Sequence, residues 1–202
     1  MKLLIISASQ RTASQSAKVA QYIARQDHGF TSVSHFELCR FNLPFWDGDS
    51  GTKSLNGSGF ETLNQQIKHA DALVLITPEW GGMASPLLKN FLLMIDGQNT
   101  AHKPALLVAV SSGISGAYPI AELKMNALKN NKIVPIPDHL IIRNVQQVLD
   151  SDLPVNPRDE DLRSRIDYSL YMLHQYSGAL LSIRDAHQNR AYPKQQEYAY
   201  GM

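Results

Sequence analysis

The amino-acid sequence predicts a doubly wound α/β fold, a five-stranded parallel sheet with helices on both faces. Three observations lead there. Short apolar runs alternate along the chain with segments of helical period, the central runs are apolar at every position rather than at every second one, and the loops after three of the runs are rich in small polar residues. A strand covered on both faces has no solvent side and reads as a continuous apolar run, and parallel neighbours need a crossover between them, usually a helix.

The runs are KLLIIS (2–7), VSHFEL (33–38), ALVLIT (72–77), ALLVAVS (105–111) and HLIIRN (139–144). Between them Ala17, Ala20, Ile23 and Ala24 share one helical face. Phe60, Leu63, Ile67 and Ala70 share another, as do Leu87, Leu88, Phe91, Leu92 and Ile95. A set around Ala121, Leu123 and Leu128 is less regular. The last helical segment is expected from about Asp159 to Arg184, with Leu162, Ile166, Leu170 and Leu173 as its inward stripe and LPVNPRDEDL as its lead-in. Two stretches are irregular: residues 42–59, rich in Gly, Ser and Asn, and a polar tail with Tyr192, Tyr198 and Tyr200. A domain over residues 1–188 with a tail over 189–202 is the expected organisation. No internal repeat or low-complexity segment interrupts it.

Composition narrows the function classes. The 202 residues are 44% hydrophobic and 18% charged, with a net charge of +1, so no nucleic-acid footprint is expected. Cys39 is the only cysteine, which excludes an internal disulfide or a cysteine metal cluster and suits a reducing compartment. The N-terminal apolar segment is short for a signal peptide and no run is long enough to span a membrane, so a cytoplasmic protein without bound metal is expected.

In open α/β sheets ligands bind beyond the carboxyl ends of the strands. Three loops should meet there: SASQRTASQS after the first strand, TPEWGGMAS after the third and SSGISGAYP after the fourth. The first lacks the glycine fingerprint of a dinucleotide site and the Gly-Lys-Ser/Thr of a P-loop. It instead gathers Ser9, Thr12, Ser14 and Ser16 with Arg11 at a helix start, where unpaired N–H groups and the helix dipole favour a phosphate monoester. A plain N-cap at Ser14 or Ser16 is the competing reading. In the second loop Pro78 stiffens the strand exit, Trp80 offers a flat face, and Gly81 and Gly82 allow close backbone approach to a planar ring. A turn whose Trp merely packs on the fold is the alternative. Glu79 is either an acid or base or a helix-start charge, and Gly113 and Gly116 fit close approach or an ordinary turn.

Taken together, Ser9-x-Arg11-x-x-Ser14-x-Ser16, then Thr77-Pro78-Glu79-Trp80-Gly81-Gly82, then Leu88-Lys89-Asn90 resemble the NADPH-dependent FMN reductase family, flavodoxin-like flavoproteins that include quinone, azo-dye and chromate reductases. The family pattern is Ser-x-Arg-x-x-Ser-x-Asn, then Thr-Pro-Glu-Tyr-Asn-Gly with a downstream Leu-Lys-Asn. The likeness covers most of residues 2–145. It implies that Ser9, Arg11, Ser14 and Ser16 bind the FMN phosphate, that Pro78, Glu79, Trp80, Gly81 and Gly82 line the isoalloxazine, and that Ser111, Ser112 and Gly113 close the other side. Ser16, Trp80 and Gly81 stand where the family has Asn, Tyr and Asn, which changes the surface beside the ring.

The implied chemistry is hydride transfer from NADPH or NADH to FMN and on to a small acceptor, with no side chain required as acid or base. The resemblance also implies a homo-oligomer, dimer or tetramer, with the tail or the 42–59 loop helping to wall a neighbour's flavin. An FMN-binding electron carrier and a non-enzymatic flavin-binding regulator are the alternatives. A low-molecular-weight phosphatase is excluded, because Arg40 follows Cys39 directly and the Cys-x5-Arg loop is absent.

Overall fold

A computed structural model describes residues 1–26, 28–54 and 57–198. Its centre is one sheet of five parallel strands in the order β2-β1-β3-β4-β5: β1 Lys2–Ser7, β2 Ser32–Glu37, β3 Ala72–Pro78, β4 Pro104–Val110 and β5 Val134–Ile142. Helices α1 Gln15–Arg25, α2 Phe60–His69, α3 Pro86–Met94, α4 Gly97–Thr100 and α5 Ala117–Glu122 fill the connections, and α6 Pro157–Ala179 and α7 Leu181–Asn189 follow the last strand. The expected fold class is the one observed.

The reason lies in strands that alternate between two cores. Leu4 and Ile6 of β1, Leu73 and Leu75 of β3, and Leu107 of β4 meet Leu63 and Ile67 of α2 and Leu88 and Phe91 of α3. Their neighbours Leu3, Ile5, Val74, Ile76, Leu106 and Val108 meet Val19 and Ile23 of α1 and Ile166, Leu170 and Leu173 of α6 on the opposite face. At about 1.5–3 kcal/mol for each buried aliphatic side chain, this double burial dominates the fold.

Two boundaries depart from the sequence expectation. β5 starts at Val134 rather than His139 and ends at Ile142, so Pro135 and Pro137 lie within a strand. The strand is at the sheet edge, where a missing N–H facing away from the ladder is tolerated, and the register slips between Ala105 and Leu107 beside the prolines. The terminal helix is also not continuous. It breaks at Leu180 between α6 and α7, and the break carries Arg184 back so that its Nη1 donates to the Ser177 carbonyl at 3.2 Å and its Nη2 meets Asp71 Oδ1 at 3.3 Å. Hydrophobic periodicity runs through this joint, and a buried cation was not visible in it.

The lead-in to α6 is as expected, with Asn156 as N-cap and Pro157 in the first turn. Asp159 locks it. Its carboxylate, fully buried, accepts from Leu149 N and Val155 N at 3.0 and 3.1 Å and pairs with Arg163 at 3.1 Å. Burial alone would raise its pKa, but Arg163 and the two N–H groups win and hold it below the usual carboxylate range. The described part of the tail folds back on its own chain, with Gln195 Nε2 donating to the His187 carbonyl and Gln98 Nε2 to Gln196 Oε1. Tyr200 lies outside the described residues.

Lys103 is another buried cation, 3% exposed, and its ammonium closes the C-terminal end of α2 by donating to the carbonyls of Ile67 and Lys68. Burial first, and the Arg184 charge second, push its pKa down to about 8, against a smaller pull from Asp71. The folded chain therefore gives up this proton before the unfolded chain does. The group's contribution to stability is least favourable below about pH 8 and improves up to the ordinary Lys value near 10.5. Lys103→Met should remove that trend: the urea stability of wild type relative to the variant is expected to increase by up to about 3 kcal/mol between about pH 7.5 and pH 10.5.

Candidate functional site

The register sets Ser7 beside Ile76, Pro78 beside Val110, and Val110 beside Ile142. The strands therefore stop together, and the loops after β1, β3, β4 and β5 enclose one cleft of about 320 Å³. This is within the usual range for small-molecule sites. Among the expected residues, Ser9, Arg11, Ser14, Ser16, Pro78, Glu79, Trp80 and Ser112 line it together. Gly81, Gly82, Ser111 and Gly113 lie in the same loops but do not form its wall.

The first loop is drawn tight by local bonds. Arg11 N donates to Ser9 Oγ at 3.1 Å, Ala13 takes the left-handed conformation at φ 50°, and Ser14 caps α1 by accepting from Ala17 N at 3.1 Å. Ser14 is thus the N-cap, and its hydroxyl proton remains available to the cleft. Ser16 differs: it is 1% exposed, and its Oγ has no hydrogen-bond partner. An unpartnered buried hydroxyl costs roughly 1–3 kcal/mol, so a residue of this kind in a cleft wall marks a place for a ligand atom. The first turn of α1 holds no acidic side chain, and its positive end is left for an anion.

Arg11 is exposed, and it reaches across to the second loop. Its guanidinium lies 5.4 Å from the centroid of the Trp80 ring, joining the first loop to the second. Trp80 begins a tight turn with Trp80 N and Met83 N bonded to each other's carbonyls at 3.3 and 3.1 Å. Gly81 at φ 59° and Gly82 at φ 78° give it the mirror-image geometry that Asn-Gly and Gly-Gly favour. Gly81 in place of the family's Asn thus keeps the turn. Thr77 Oγ1 accepts from Ser85 N at 2.8 Å, and Ser85 caps α3, so the loop is fixed at both ends.

The third loop is laced to β5. Ser111 N donates to the Ile142 carbonyl, Val145 N to that of Ser111 and Asn144 N to that of Gly113. Gly116 has φ 108°, and a Cβ there would meet Ile141 Cγ2 at 2.5 Å, so this position needs glycine for space as well as for conformation.

Sequence reasoning missed the fourth wall. Val145 and Gln146, which follow β5, also line the cleft. Lys18 of α1 holds that wall, donating to the carbonyls of Val145 and Val148 at 2.7 and 2.9 Å and pairing with Asp150 at 2.7 Å. A lysine one turn into the helix gave no signal because its partners lie more than a hundred residues away.

Leu88-Lys89-Asn90 is remote from the cleft wall and acts as a brace. Lys89 pairs with Glu122 Oε1 at 2.8 Å, while Glu122 Oε2 accepts from Ala84 N at 2.7 Å. Burial acts to raise the Glu122 pKa, but Lys89 and the Ala84 N–H hold it below the usual carboxylate range. Asn90 fixes the 42–59 segment: its Oδ1 accepts from Trp46 N at 2.8 Å and its Nδ2 donates to the Pro44 carbonyl at 2.9 Å. Beyond that anchor a short 3-10 turn, Ser50–Ser54, forms around Asp47, and Lys53 lies over the Trp46 ring.

The sequence profile of the NADPH-dependent FMN reductase family matches residues 1–147. The chain belongs to this family. Among family relatives, it is 34% identical over 116 residues to an NADPH azoreductase of Bacillus sp. (strain OY1-2), spanning 57% of this chain and 62% of that one. It is 31% identical over 130 residues to an FMN-dependent NADPH-azoreductase of Staphylococcus saprophyticus, spanning 62% of this chain and 68% of that one. The fold matches FerB, a flavoenzyme NAD(P)H:(acceptor) oxidoreductase from Paracoccus denitrificans, at TM-score 0.70 and 19% identity over 88% of this chain and 97% of the other. An oxidoreductase from Corynebacterium diphtheriae superposes at TM-score 0.67 and 19% identity, again over 88% and 97%. For an FMN-binding family the donor set is chemically apt, with hydroxyls and a helix N-terminus in the cleft wall and a guanidinium beside an indole.

Asn90→Ala is expected to free the 42–59 segment without opening the sheet. Urea denaturation should show a loss of about 1–3 kcal/mol, and hydrogen exchange should show the Trp46 amide losing protection while the amides of β3 keep theirs.

Proposed function

We propose that the protein is an NAD(P)H oxidoreductase that holds FMN in the cleft at the carboxyl edge of the sheet and passes electrons from the pyridine nucleotide to a small acceptor such as a quinone, free flavin, azo compound or oxyanion. The observation that carries this reading is the buried, unpartnered Ser16 hydroxyl at the N-terminus of α1 in a member of the NADPH-dependent FMN reductase family. Ser9, Arg11, Ser14 and Ser16 would hold the phosphate; Pro78, Glu79, Trp80 and Ser112 would bound the ring, with Gly81, Gly82, Ser111 and Gly113 shaping the loops behind them.

When bound, FMN supplies the redox chemistry, accepting two electrons from the nicotinamide and releasing them to the acceptor. The protein's own work is positional. Hydroxyls and α1 backbone N–H groups fix the phosphate end, Arg11 supplies full charge, and the Trp80-Met83 turn sets one rim. A cleft open on one side admits donor and acceptor in turn, which asks for flat, shared surface rather than a general acid or base. No side chain is assigned a proton-transfer role.

The unit that performs this is residues 1–188, with 189–202 as a tail. Exposed Met83, Leu93, Tyr118 and Met125 around the α3 and α5 side support a homo-oligomer, dimer or tetramer. The lone cysteine suits the cytoplasm. Among the described residues no helix is long and apolar enough to cross a membrane.

The visible spectrum of the purified protein, reconstituted with FMN where needed, tests the reading directly. Anaerobic NADPH or NADH should bleach the flavin band; a bound band that persists with both would make the protein a carrier or regulator. The phosphate assignment has its own test. Arg11→Ala and Ser16→Ala should each weaken FMN binding by about 10–100-fold and leave riboflavin binding nearly unchanged, because only FMN carries the group they hold. Equal losses for both ligands would overturn the assignment.

A further inference from the structure

Most arginines of the chain have carboxylate partners: Arg40, Arg163, Arg165, Arg184 and Arg190 all do. Among the described residues Arg11, Arg25, Arg143 and Arg158 have none. Arg25 is at the far end of α1, but the other three are all at the carboxyl edge of the sheet. Arg11 belongs to the phosphate loop. Arg143 and Arg158 have no part in the cofactor site described above.

Both are exposed, yet both are fixed by backbone. Arg143 directly follows β5, and its Nε donates to the Ser115 carbonyl of the third loop at 2.9 Å. Asn144, in the left-handed conformation at φ 45°, turns the chain immediately after it and donates to the Gly113 carbonyl. Arg158 Nη2 donates to the Arg143 carbonyl at 2.6 Å, so the second guanidinium rests on the backbone of the first residue. Each uses a single nitrogen in these bonds. Both terminal amino groups of Arg143 are left as a fork, the geometry that grips a tetrahedral oxyanion by two parallel bonds.

Arg158 also breaks a local rule. It sits in the first turn of α6, where the helix dipole disfavours a cation, and Asp159 beside it is already committed to Arg163 and the lead-in N–H groups. Among the described residues, the one structural return Arg158 shows is the bond to the Arg143 carbonyl, which leaves the rest of its guanidinium available.

We propose that Arg143 and Arg158 form an anchor on the β5 rim of the cleft for a tetrahedral oxyanion carried by a substrate, donor or acceptor, that enters beside the cofactor. That chemistry has two sources, the 2′-phosphate of NADPH or a sulfonate on an aromatic acceptor. The inference rests on the cleft being the redox site, because a mobile substrate must reach over the rim to enter it. It goes further in placing the charge that selects among flat substrates outside the flavin pocket, on β5 and α6.

Calorimetry on the FMN-saturated protein tests this without turnover. One arm compares adenosine 2′,5′-bisphosphate with adenosine 5′-monophosphate, and the other compares 1-naphthol-4-sulfonate with 1-naphthol. The expected result is a preference of about tenfold or more for the probe bearing the extra oxyanion in at least one arm, falling to about twofold or less in Arg143→Gln/Arg158→Gln. Arg25→Gln should retain the preference. A response in the nucleotide arm identifies the donor phosphate, and a response in the sulfonate arm identifies the acceptor. No preference in either arm, or a preference that survives the double variant, overturns the anchor. Arg158→Gln alone guards against misfolding, because it removes one surface hydrogen bond and should still lose most of the preference. The double variant's FMN affinity should equal that of wild type. Failure of FMN binding or of flavin bleaching in the wild type would instead refute the redox reading, which the nucleotide titration does not measure.

Discussion

Everything in the molecule depends on a sheet buried on both faces. When β1, β3 and β4 give nearly every side chain to one core or the other, with polar Ser7 and Thr77 only near the carboxyl ends of β1 and β3, chemistry is displaced to where the strands end. Parallel pairing makes all those ends coincide. The cleft is thus a geometric by-product of the core, and its walls are whatever sequence follows each strand.

Those walls are held by bonds that cross between loops as well as by bonds within them. Lys18 ties the β5 wall to α1, Thr77 ties the β3 exit to the cap of α3, and Glu122 joins Ala84 to Lys89. The interactions are of ordinary strength singly, but each replaces a flexible loop end with a fixed one. Preorganisation of this kind lets a site use its hydroxyls on a ligand instead of on ordering itself.

The strands and most helices were legible because their information is local and periodic. Leu3 to Ile6 announce a buried strand to any reader of four residues. The expected loops were legible for a similar reason: Ser9 to Ser16 and Pro78 to Gly82 are compact motifs, and the family resemblance sharpened them. What escaped depends on distant partners. Pro135 and Pro137 argue against a strand until the edge position of β5 is known, and the break at Leu180 makes sense only with Asp71 in place to receive Arg184. Likewise Leu88-Lys89-Asn90 reads as part of a site motif, while its side chains turn out to fasten Glu122, Pro44 and Trp46.

The stacking of Arg11 on Trp80 has a consequence for how tightly a phosphate can be held. The guanidinium is not a vacant charge but one already engaged, in an exposed contact worth about 0.5–1 kcal/mol. An arriving anion gains only the difference between the new partnership and the old. The arrangement acts as a placeholder: it joins the two loops before any ligand comes, and it makes exchange of the ligand a swap of partners for the guanidinium. A bulky indole in place of a phenol at residue 80 enlarges that placeholder, and with it the share of binding energy that is returned when the ligand leaves.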